Sequence, residues 1–360
     1  KISWKKSMRW ADHELYWGRP LKSILCCFDN KTLEFEYHHL VSSNITFIDK
    51  DFEQKTKKFV RFKDYLAFFK SQNIILDNKK REQFIVDQLN RIAKKENLQI
   101  HFNSTLLNEV TNIVEKPNII KCRFNKRFLE IPDDILATTM QVHQKYFPTF
   151  DSRDNLTNNF FLVADNKDSK GLIKIGNENV VEARLNDAKF FWDKNKTQNL
   201  VKGISNLKKL SYFEGLGSYF EKIQRLRKLG ALISDELLIS KEKVEIASSI
   251  CKVDLTSDLV NEFPELQGVM GGHFAKSQGF DNDICLAIRE HYLPIGPETK
   301  TPKKPYSVTL AMSDKLDTLS GFFAINLKPT SSKDPFALRR SAIGLILSLI
   351  HISEPTRQPN

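Results

Sequence analysis

Three carboxylates at helical spacing are the most distinctive chemical feature of this sequence. Asp254, Asp258 and Glu262 stand at i, i+4 and i+8 in the segment KVDLTSDLVNEFPELQGVMGG. This spacing predicts that they share one helix face, with neighbours about 5–6 Å apart. Pro264 predicts the end of that helix, and the glycines after it allow the backbone to turn tightly or to approach another group closely. The stripe is either a solvated acidic face or a set of partners for cations elsewhere in the chain.

Metal-dependent phosphoester hydrolysis of the HD type is one chemistry that such carboxylates suggest. It uses a His-Asp dyad on a helix, with further His and Asp residues on neighbouring helices, to bind a divalent metal. Val253-Asp254 stands where the dyad would lie, and Asp314 or Asp317 offers the distal aspartate. Because valine cannot coordinate a metal and carboxylates alone make a poor transition-metal site, we predict that the fold survives without metal or hydrolase activity.

Other catalytic signatures are missing from the sequence. It contains no GxxxxGK[ST] loop, no GxGxxG after a strand, and no recognised arrangement of a Ser or Cys nucleophile. His143, His273 and His291 are isolated, which favours structural hydrogen bonding over metal ligation. We therefore predict no catalytic residue and no bound metal in this chain.

Composition predicts a soluble protein of at least two domains. The chain has 360 residues, 41% hydrophobic and 28% charged, and no apolar run approaches the ~20 residues of a membrane span. The net charge of +11 invites a polyanionic partner, although AT-rich codon usage gives the same Lys- and Asn-rich bias. The five cysteines are scattered, which favours reduced thiols and a cytoplasmic location. The absence of both a signal and an initiator Met predicts a start inside a longer protein.

The pattern of elements predicts an α+β fold in which a mixed strand and helix region precedes an all-helical domain. Residues 1–150 contain a predicted hairpin at Asp29-Asn30 and a helix capped by Asp77. The buried face of that helix is predicted as Phe84, Ile85, Leu89, Ile92 and Ala93, and its basic face, Lys79, Lys80, Arg81, Arg91, Lys94 and Lys95, is either RNA-facing or solvated.

Three further segments complete the predicted organisation. Residues 151–199 form a connecting segment around the helix GNENVVEARLNDAKFFW, in which Val181, Leu185, Ala188 and Phe191 face inward. Residues 200–346 form the helical domain, with breaks near Gly215-Leu216-Gly217, Gly230 and Pro264. Residues 347–360 are predicted to be a non-native tail.

Seven motifs in order resemble the beta subunit of bacterial heterotetrameric glycyl-tRNA synthetase. They extend from about Leu106 to Gly344 and read LLNEVTNIVEKP, TTMQVHQKYFP, GNENVVEARLNDAKFFW, KVDLTSDLVNEFPELQGVMGG, AIREHYLP, SDKLDTLSGFFAI and SKDPFALRRSAIG. A weaker similarity reaches back to MRWADHELYWGRP at Met8–Pro20.

This resemblance implies an alpha2-beta2 glycine–tRNA ligase, of which the chain is an N-terminal to middle portion. It implies that the alpha subunit uses ATP and Mg²⁺, that the beta subunit engages tRNA, and that the helical region is a degenerate HD-like domain. This chain would itself bind no cofactor and would not enter a membrane. Its candidates for tRNA contact are Lys145, Arg184 and Lys189. The alternatives are an HD-type metal-dependent phosphohydrolase, which tightly bound metal would favour, and a non-enzymatic RNA-binding scaffold.

The acidic stripe also predicts a structural ion pair. Asp334 before Pro335 is a plausible helix start, which would place Arg339 and Arg340 on the first turns of that helix. One of these arginines is predicted to form a bidentate pair with a carboxylate of the stripe, Asp254, Asp258 or Glu262, and so to hold two helices in register.

Overall fold

The computed structural model describes residues 6–50, 53–296, 299–330 and 333–353, which form helices and small sheets, in agreement with the predicted α+β class. The helices are α1 (Phe62–Ser71), α2 (Asn78–Lys95), α3 (Ser104–Ile113), α4 (Asp133–Thr138), α5 (Leu172–Asn195), α6 (Leu200–Gly203), α7 (Tyr219–Glu236), α8 (Lys241–Ile250), α9 (Asp258–Glu262), α10 (Val269–Ser277), α11 (Asn282–Glu290), α12 (Pro305–Ala324) and α13 (Leu338–Ser353). The strands are β1 (Ile24–Leu25), β2 (Cys27–Phe28), β3 (Lys31–Thr32), β4 (Glu36–Tyr37), β5 (Leu40–Ser43), β6 (Ile45–Lys50), β7 (Glu53–Lys58), β8 (Asn118–Arg123), β9 (Phe147–Phe150), β10 (Leu156–Ala164), β11 (Ser211–Phe213) and β12 (Gly217–Ser218). None of the described helices is long and apolar enough to cross a membrane.

The chain divides into two compact units that alternate along the sequence. The first unit comprises residues 1–91, 103–119 and 163–167, and the second comprises residues 92–102, 120–162 and 168–360. The domain boundaries expected at 150, 199 and 346 stay predictions. Helix α13 continues through Ser353, and residues 354–360 of the expected tail lie outside the described residues.

The first unit contains short strands and the amphipathic helix α2. β5 pairs with β1 in parallel and with β4 in antiparallel orientation, and β6 and β7 form a separate hairpin. The predicted hairpin at Asp29-Asn30 is confirmed: these residues have φ values of 45° and 61° between β2 and β3. Two consecutive positive φ angles are typical of the tight turns that join antiparallel strands.

Helix α2 begins as the sequence predicts, but one of its basic residues is buried. The Asp77 carboxylate accepts a hydrogen bond from Lys80 N at 2.9 Å, and Ile85 and Leu89 are fully buried. Phe84 is 38% exposed, so its predicted burial is wrong. Arg81 lies four residues before Ile85 on the inner face of the helix, where its guanidinium donates to Thr111 O and Ile75 O. Arg81 is therefore not part of the predicted basic face.

The second unit combines a three-stranded sheet with most of the helices. The sheet order is β8-β10-β9. Helix α5 buries Val181, Leu185 and Ala188 completely, as its spacing predicts, and Phe191 is half-buried. Helix α12 packs against α7, α8, α11 and α13, so it is the central element of the helical part.

The region from residue 200 to 346 is not wholly helical, which corrects the prediction. β11 and β12 form a two-stranded antiparallel sheet immediately before α7. Gly215 and Gly217 both have φ of 80°, a backbone conformation that L side chains rarely adopt. The two glycines therefore allow the chain to reverse where the sequence showed only a helix break.

Candidate functional site in the second unit

The acidic stripe is not one helix. Asp254 lies in a 3₁₀ turn, Val253–Thr256, whereas Asp258 begins α9 and Glu262 ends it. Between them Ser257 is extended, and its hydroxyl accepts a hydrogen bond from Val260 N at 3.2 Å. The single helix was therefore a wrong prediction, because Ser257 acts as the N-cap of a new helix.

Asp254 is buried and holds the backbone at the start of α10. Its Oδ2 accepts hydrogen bonds from Gly268 N at 2.5 Å and from Gly271 N at 3.1 Å. Gly268 has φ of 79°, and a Cβ added to Gly271 would lie 2.9 Å from Ile288 and 3.3 Å from the Asp254 carboxylate. The predicted close approach at these glycines is thus confirmed, and the group approached is Asp254. Burial raises the pKa of Asp254 to about 6, although the two N–H groups act in the opposite direction.

The other two carboxylates form exposed ion pairs. Asp258 Oδ2 lies 2.8 Å from Lys194 Nζ, and Glu262 Oε1 lies 3.8 Å from Arg184 Nη1. Both cations belong to α5, and α5 packs against α9. These contacts join two neighbouring helices, but ion pairs of this exposure contribute little to stability.

The predicted pairing of the stripe with Arg339 or Arg340 is wrong. Helix α13 begins at Leu338 rather than at Pro335, and the Asp334 carboxylate accepts hydrogen bonds from the backbone N–H groups of Leu338 and Arg339, both at 2.9 Å. The Arg339 side chain donates to Thr330 O. Arg340 lines a surface cleft and forms no hydrogen bond with any described residue. The three carboxylates of the stripe are meanwhile occupied by other donors.

A different set of charges lies buried at the centre of the helical part. We call Lys222, Lys252, Asp314 and Asp317 the lysine–aspartate cluster. Lys222 comes from α7, Lys252 follows α8, and both aspartates come from α12. Asp314 Oδ1 lies 2.9 Å from Lys252 Nζ and 3.2 Å from Lys222 Nζ, and Asp317 Oδ2 lies 3.0 Å from Lys222 Nζ. The two lysines are only 1–2% exposed, so both charges have left water.

Arg225 extends the cluster to the surface. Its guanidinium forms a bidentate contact with Asp317, with Nε to Oδ1 at 2.5 Å and Nη2 to Oδ2 at 3.2 Å. Lys222 also donates to the Thr318 hydroxyl at 3.2 Å and lies 4.4 Å from the centre of the Tyr212 ring. Each buried charge thus has several partners, which is the condition under which burial of ions is tolerated.

Lys252 links the cluster to His291. Its Nζ donates to His291 Nε2 at 2.8 Å, and His291 Nδ1 donates to Ile288 O at 2.5 Å. The same ammonium group lies 3.8 Å from the centre of the Tyr292 ring. These contacts require the neutral imidazole with its proton on Nδ1, because a proton on Nε2 would face the ammonium directly.

The pKa directions agree with this geometry. Burial disfavours ionised Asp314, but Lys222 and Lys252 outweigh it and hold the pKa of Asp314 well below its usual range. Burial likewise opposes charge on Lys222, yet the carboxylate of Asp314 raises its pKa to about 12. Burial, followed by the charge of Lys252, lowers the pKa of His291 to about 3.

The cluster neutralises its carboxylates with cations from the chain itself. The two aspartates that could serve as a distal ligand, Asp314 and Asp317, are both bound by ammonium groups. An ammonium group neutralises a carboxylate but cannot activate water as a Lewis acid. Within the part of the chain that the structure describes, no group of three or more His, Cys, Asp and Glu side chains is arranged to hold a metal ion.

Neither lysine of the cluster was predicted from the sequence to be buried or to belong to a site. A lysine is rarely buried unless it is paired, so Lys222 and Lys252 would ordinarily be placed on the surface. One signal was available: Lys222, Leu226, Gly230 and Ser234 recur every four residues, and all four are buried on α7. A lysine within such a stripe points inward and requires a buried carboxylate.

The predicted tRNA contacts do not form one cluster of unpaired cations. Arg184 and Lys189 both lie on α5, and Lys189 pairs with Asp193 at 3.1 Å and with Glu130 at 3.4 Å. The hydrogen bond to Asp193 is the largest cause that raises the pKa of Lys189. Lys145 has left-handed backbone, with φ of 60°, just before β9.

The isolated histidines contact charged partners, as a structural role predicts. His143 Nε2 lies 2.7 Å from Glu265, and His273 Nε2 lies 2.8 Å from Asp134. Asp134 also receives Arg289 Nη2 at 2.9 Å, so this contact joins α4 to both α10 and α11. Together with the bond between Lys252 and His291, these contacts occupy one ring nitrogen of each histidine.

Removing Asp314 should destabilise the folded chain strongly. In Asp314→Asn the buried ammonium groups of Lys222 and Lys252 lose their shared carboxylate, so we expect a loss of about 3–5 kcal/mol in the free energy of unfolding. The matched control, Glu262→Gln, removes an exposed pair and should cost about 0–1 kcal/mol. Urea denaturation followed by circular dichroism measures both. Adding Lys252→Met to Asp314→Asn should cost less than the sum of the single changes; additive losses would argue against a shared buried pair.

The buried neutral His291 should make stability depend on pH. Its pKa is about 3 when folded and near 6.5 when unfolded, so unfolding takes up a proton between these values. The stability that it provides is complete above pH 6.5 and is lost as the pH falls toward 3. Between pH 7 and 5 we expect this group to account for roughly 2 kcal/mol. In His291→Gln the loss over that interval should shrink by this amount in urea denaturation; an unchanged pH dependence would contradict the assignment.

Comparison with known proteins identifies the family. The family described as "Glycyl-tRNA synthetase beta subunit" matches residues 1–356, which includes most of the segment expected to be a non-native tail. A glycine–tRNA ligase beta subunit from Thermodesulfovibrio yellowstonii is 36% identical over 351 residues, which cover 97% of this chain and 52% of the relative. Proteins of the same name from Rickettsia akari and Listeria monocytogenes are 36% and 38% identical, and cover 96% and 94% of the chain.

The chain spans about half the length of the curated relatives it matches, 52% for the first two and 50% for that from Listeria monocytogenes. The matched region nevertheless includes every element described above, from β1 to α13. The resemblance carried by the seven sequence motifs is therefore confirmed, and the chain belongs to the glycyl-tRNA synthetase beta subunit family.

Proposed function

We propose that this chain is the tRNA-engaging part of the beta subunit of a glycine–tRNA ligase. In this proposal an alpha subunit attaches glycine to tRNA with ATP and Mg²⁺ in an alpha2-beta2 assembly, and this chain binds neither cofactor. The assembly works in the cytoplasm, where tRNA is charged. The observation that carries the proposal is the family match over residues 1–356.

The second unit contains, in this proposal, a degenerate HD-like domain that serves as a scaffold. The lysine–aspartate cluster supports this assignment, because the ammonium groups of Lys222 and Lys252 neutralise Asp314 and Asp317. A bound metal cation would otherwise have to neutralise these carboxylates. Asp254, the remaining member of the expected dyad, is used to hold the backbone of Gly268 and Gly271. These contacts disfavour a metal-dependent phosphohydrolase, since each carboxylate considered as a ligand already has donors.

We call Arg184 and Lys189 on α5, together with Lys145 just before β9, the α5 face, and this is the surface proposed to meet tRNA. Arg184 and Lys189 pair with Glu262, Glu130 and Asp193 across partly exposed contacts of 3.1–3.8 Å. Such pairs contribute little in water, so phosphates can replace the carboxylates at small cost. Lys145 completes the proposed set, and the net charge of +11 favours approach of a polyanion.

The function is tested by reconstitution with a cognate alpha subunit. We expect the chain to co-purify with that subunit and to show no glycine-dependent exchange of pyrophosphate into ATP when it is alone. A full-length beta subunit is measured in parallel for glycine charging of tRNA, so that failure of the 360-residue chain can be assigned to the half of its relatives' length that it does not span. Adenylate formation by the chain alone, or lack of association by both chains, would overturn the proposal. Association and RNA binding without any contribution to charging would favour the RNA-binding scaffold.

The charge of the α5 face should be measurable in tRNA binding. Replacement of Lys145, Arg184 and Lys189 by Ala should weaken binding and reduce the slope of log affinity against log salt, because fewer counterions are released. The matched control is Lys241→Ala, which removes another exposed cation paired with a carboxylate, Asp235, at 2.6 Å. Filter binding between about 50 and 200 mM salt measures both effects. An equal salt slope in the triple variant and the control would exclude this face.

A further inference from the structure

An aromatic cavity lies in the first unit, and none of its lining residues belongs to the site described above. The segment from Met8 to Trp17 closes on itself through two backbone hydrogen bonds, Met8 N to Trp17 O at 3.1 Å and Trp17 N to Met8 O at 3.3 Å. This closed loop meets the turn between β4 and β5, where His39 lies. A half-open cavity of about 460 Å³ lies between them, within the range of small-molecule sites.

The lining of this cavity is aromatic and basic. Its side walls include Trp10, Trp17, His13 and His39, and Lys22 is its one cationic lining residue among those described. The buried side chains of Leu15 and Leu40 contribute apolar surface. No carboxylate of the described residues is part of this lining. An unpaired nucleotide binds through both kinds of group: its base stacks on the flat face of an aromatic ring, and its phosphate lies beside a cation.

Trp10 carries a donor without an acceptor. Its indole Nε1 is shielded from solvent and has no hydrogen-bond partner among the described residues. A shielded N–H that makes no hydrogen bond costs free energy, so native proteins rarely leave one. Because this nitrogen is shielded, an acceptor on a ligand reaches it only when the Trp10 ring turns toward the cavity, and the hydrogen bond formed then would remove the cost.

The two histidines of the cavity form a preassembled stack. The rings of His13 and His39 are 3.5 Å apart and inclined by only 3°. Burial, followed by the neighbouring imidazoles of His13 and His38, lowers the pKa of His39, which favours its uncharged form. A flat pair of parallel rings is a platform on which a further aromatic ring can stack.

We propose that this cavity binds an unpaired nucleobase of an RNA strand. The base stacks on the aromatic walls, Trp10 Nε1 donates to an acceptor on the base, and Lys22 lies beside the adjoining phosphate. Only a base that is free of its complementary strand can enter, because a paired base has both faces covered by its neighbours. The inference rests on the proposed function in that the RNA would be the tRNA, but the cavity is independent of the α5 face.

The test compares three RNA probes on the unaltered chain by Trp fluorescence and filter binding. They are a single-stranded hexanucleotide of mixed sequence, the same strand in a blunt duplex, and an abasic strand with the same number of phosphates. We expect the single strand to bind about tenfold more tightly than the other two, since stacking is lost in both. Equal affinity for the single-stranded and abasic probes would overturn the proposal.

Variants assign the binding to the cavity. Trp10→Phe retains a ring but lacks the N–H, and His39→Ala removes half of the stack; each should weaken binding of the hexanucleotide about tenfold. The matched control, Tyr16→Ala, removes an exposed aromatic side chain that lies between two lining residues but is not itself part of the lining. Its affinity should stay within about twofold of the parent chain. Thermal unfolding of each variant shows that the fold persists, and His39→Asn replaces His39→Ala if it does not.

The outcomes separate this inference from the proposed function. If glycine charging depends on the chain while hexanucleotide binding is the same in Trp10→Phe, His39→Ala and Tyr16→Ala, the cavity is excluded and the function stands. If the cavity variants lose hexanucleotide binding but neither this chain nor the full-length beta subunit associates with the alpha subunit, the inference stands and the function fails.

Discussion

The carboxylate of Asp314, held between the ammonium groups of Lys222 and Lys252, is the interaction on which the helical part of the second unit depends. The three groups come from α12, from α7 and from the segment after α8, so one contact fixes three elements at once. A buried pair of charges adds little net stability, but separating its members is expensive. The consequence is geometric: none of these elements can slide without leaving a charge unpaired in the interior.

The cluster also determines what chemistry this part of the fold can perform. A divalent metal could be exchanged or removed and could polarise water, whereas a lysine belongs permanently to the chain and only balances charge. The Asp254 carboxylate is likewise used within the fold, where it accepts hydrogen bonds from Gly268 N and Gly271 N. In both places the carboxylates hold the fold together.

Several structures that depend on neighbours along the chain could be predicted from the sequence. Asp29 and Asn30 tolerate positive φ, so the first hairpin could be predicted, and Asp77 could be recognised as the cap of α2. The inward face of α5 followed from helical periodicity, and Val181 and Leu185 are indeed fully buried. The family was also decided by sequence, because seven motifs in order are specific even where each alone is weak.

Tertiary structure alone decided which charges meet. The spacing of the acidic stripe favoured a continuous helix, but Ser257 could end one helix and cap the next, and spacing does not reveal that choice. Arg339 and Arg340 were predicted as partners from their motif, yet the buried cations are lysines about 60 to 90 residues before Asp314 in the chain. Sequence by itself determined the family, the first hairpin, the start of α2 and the inward face of α5, since these depend on local pattern. It could not determine the buried ion pairs, because the desolvation that selects a partner exists only once the helices have packed.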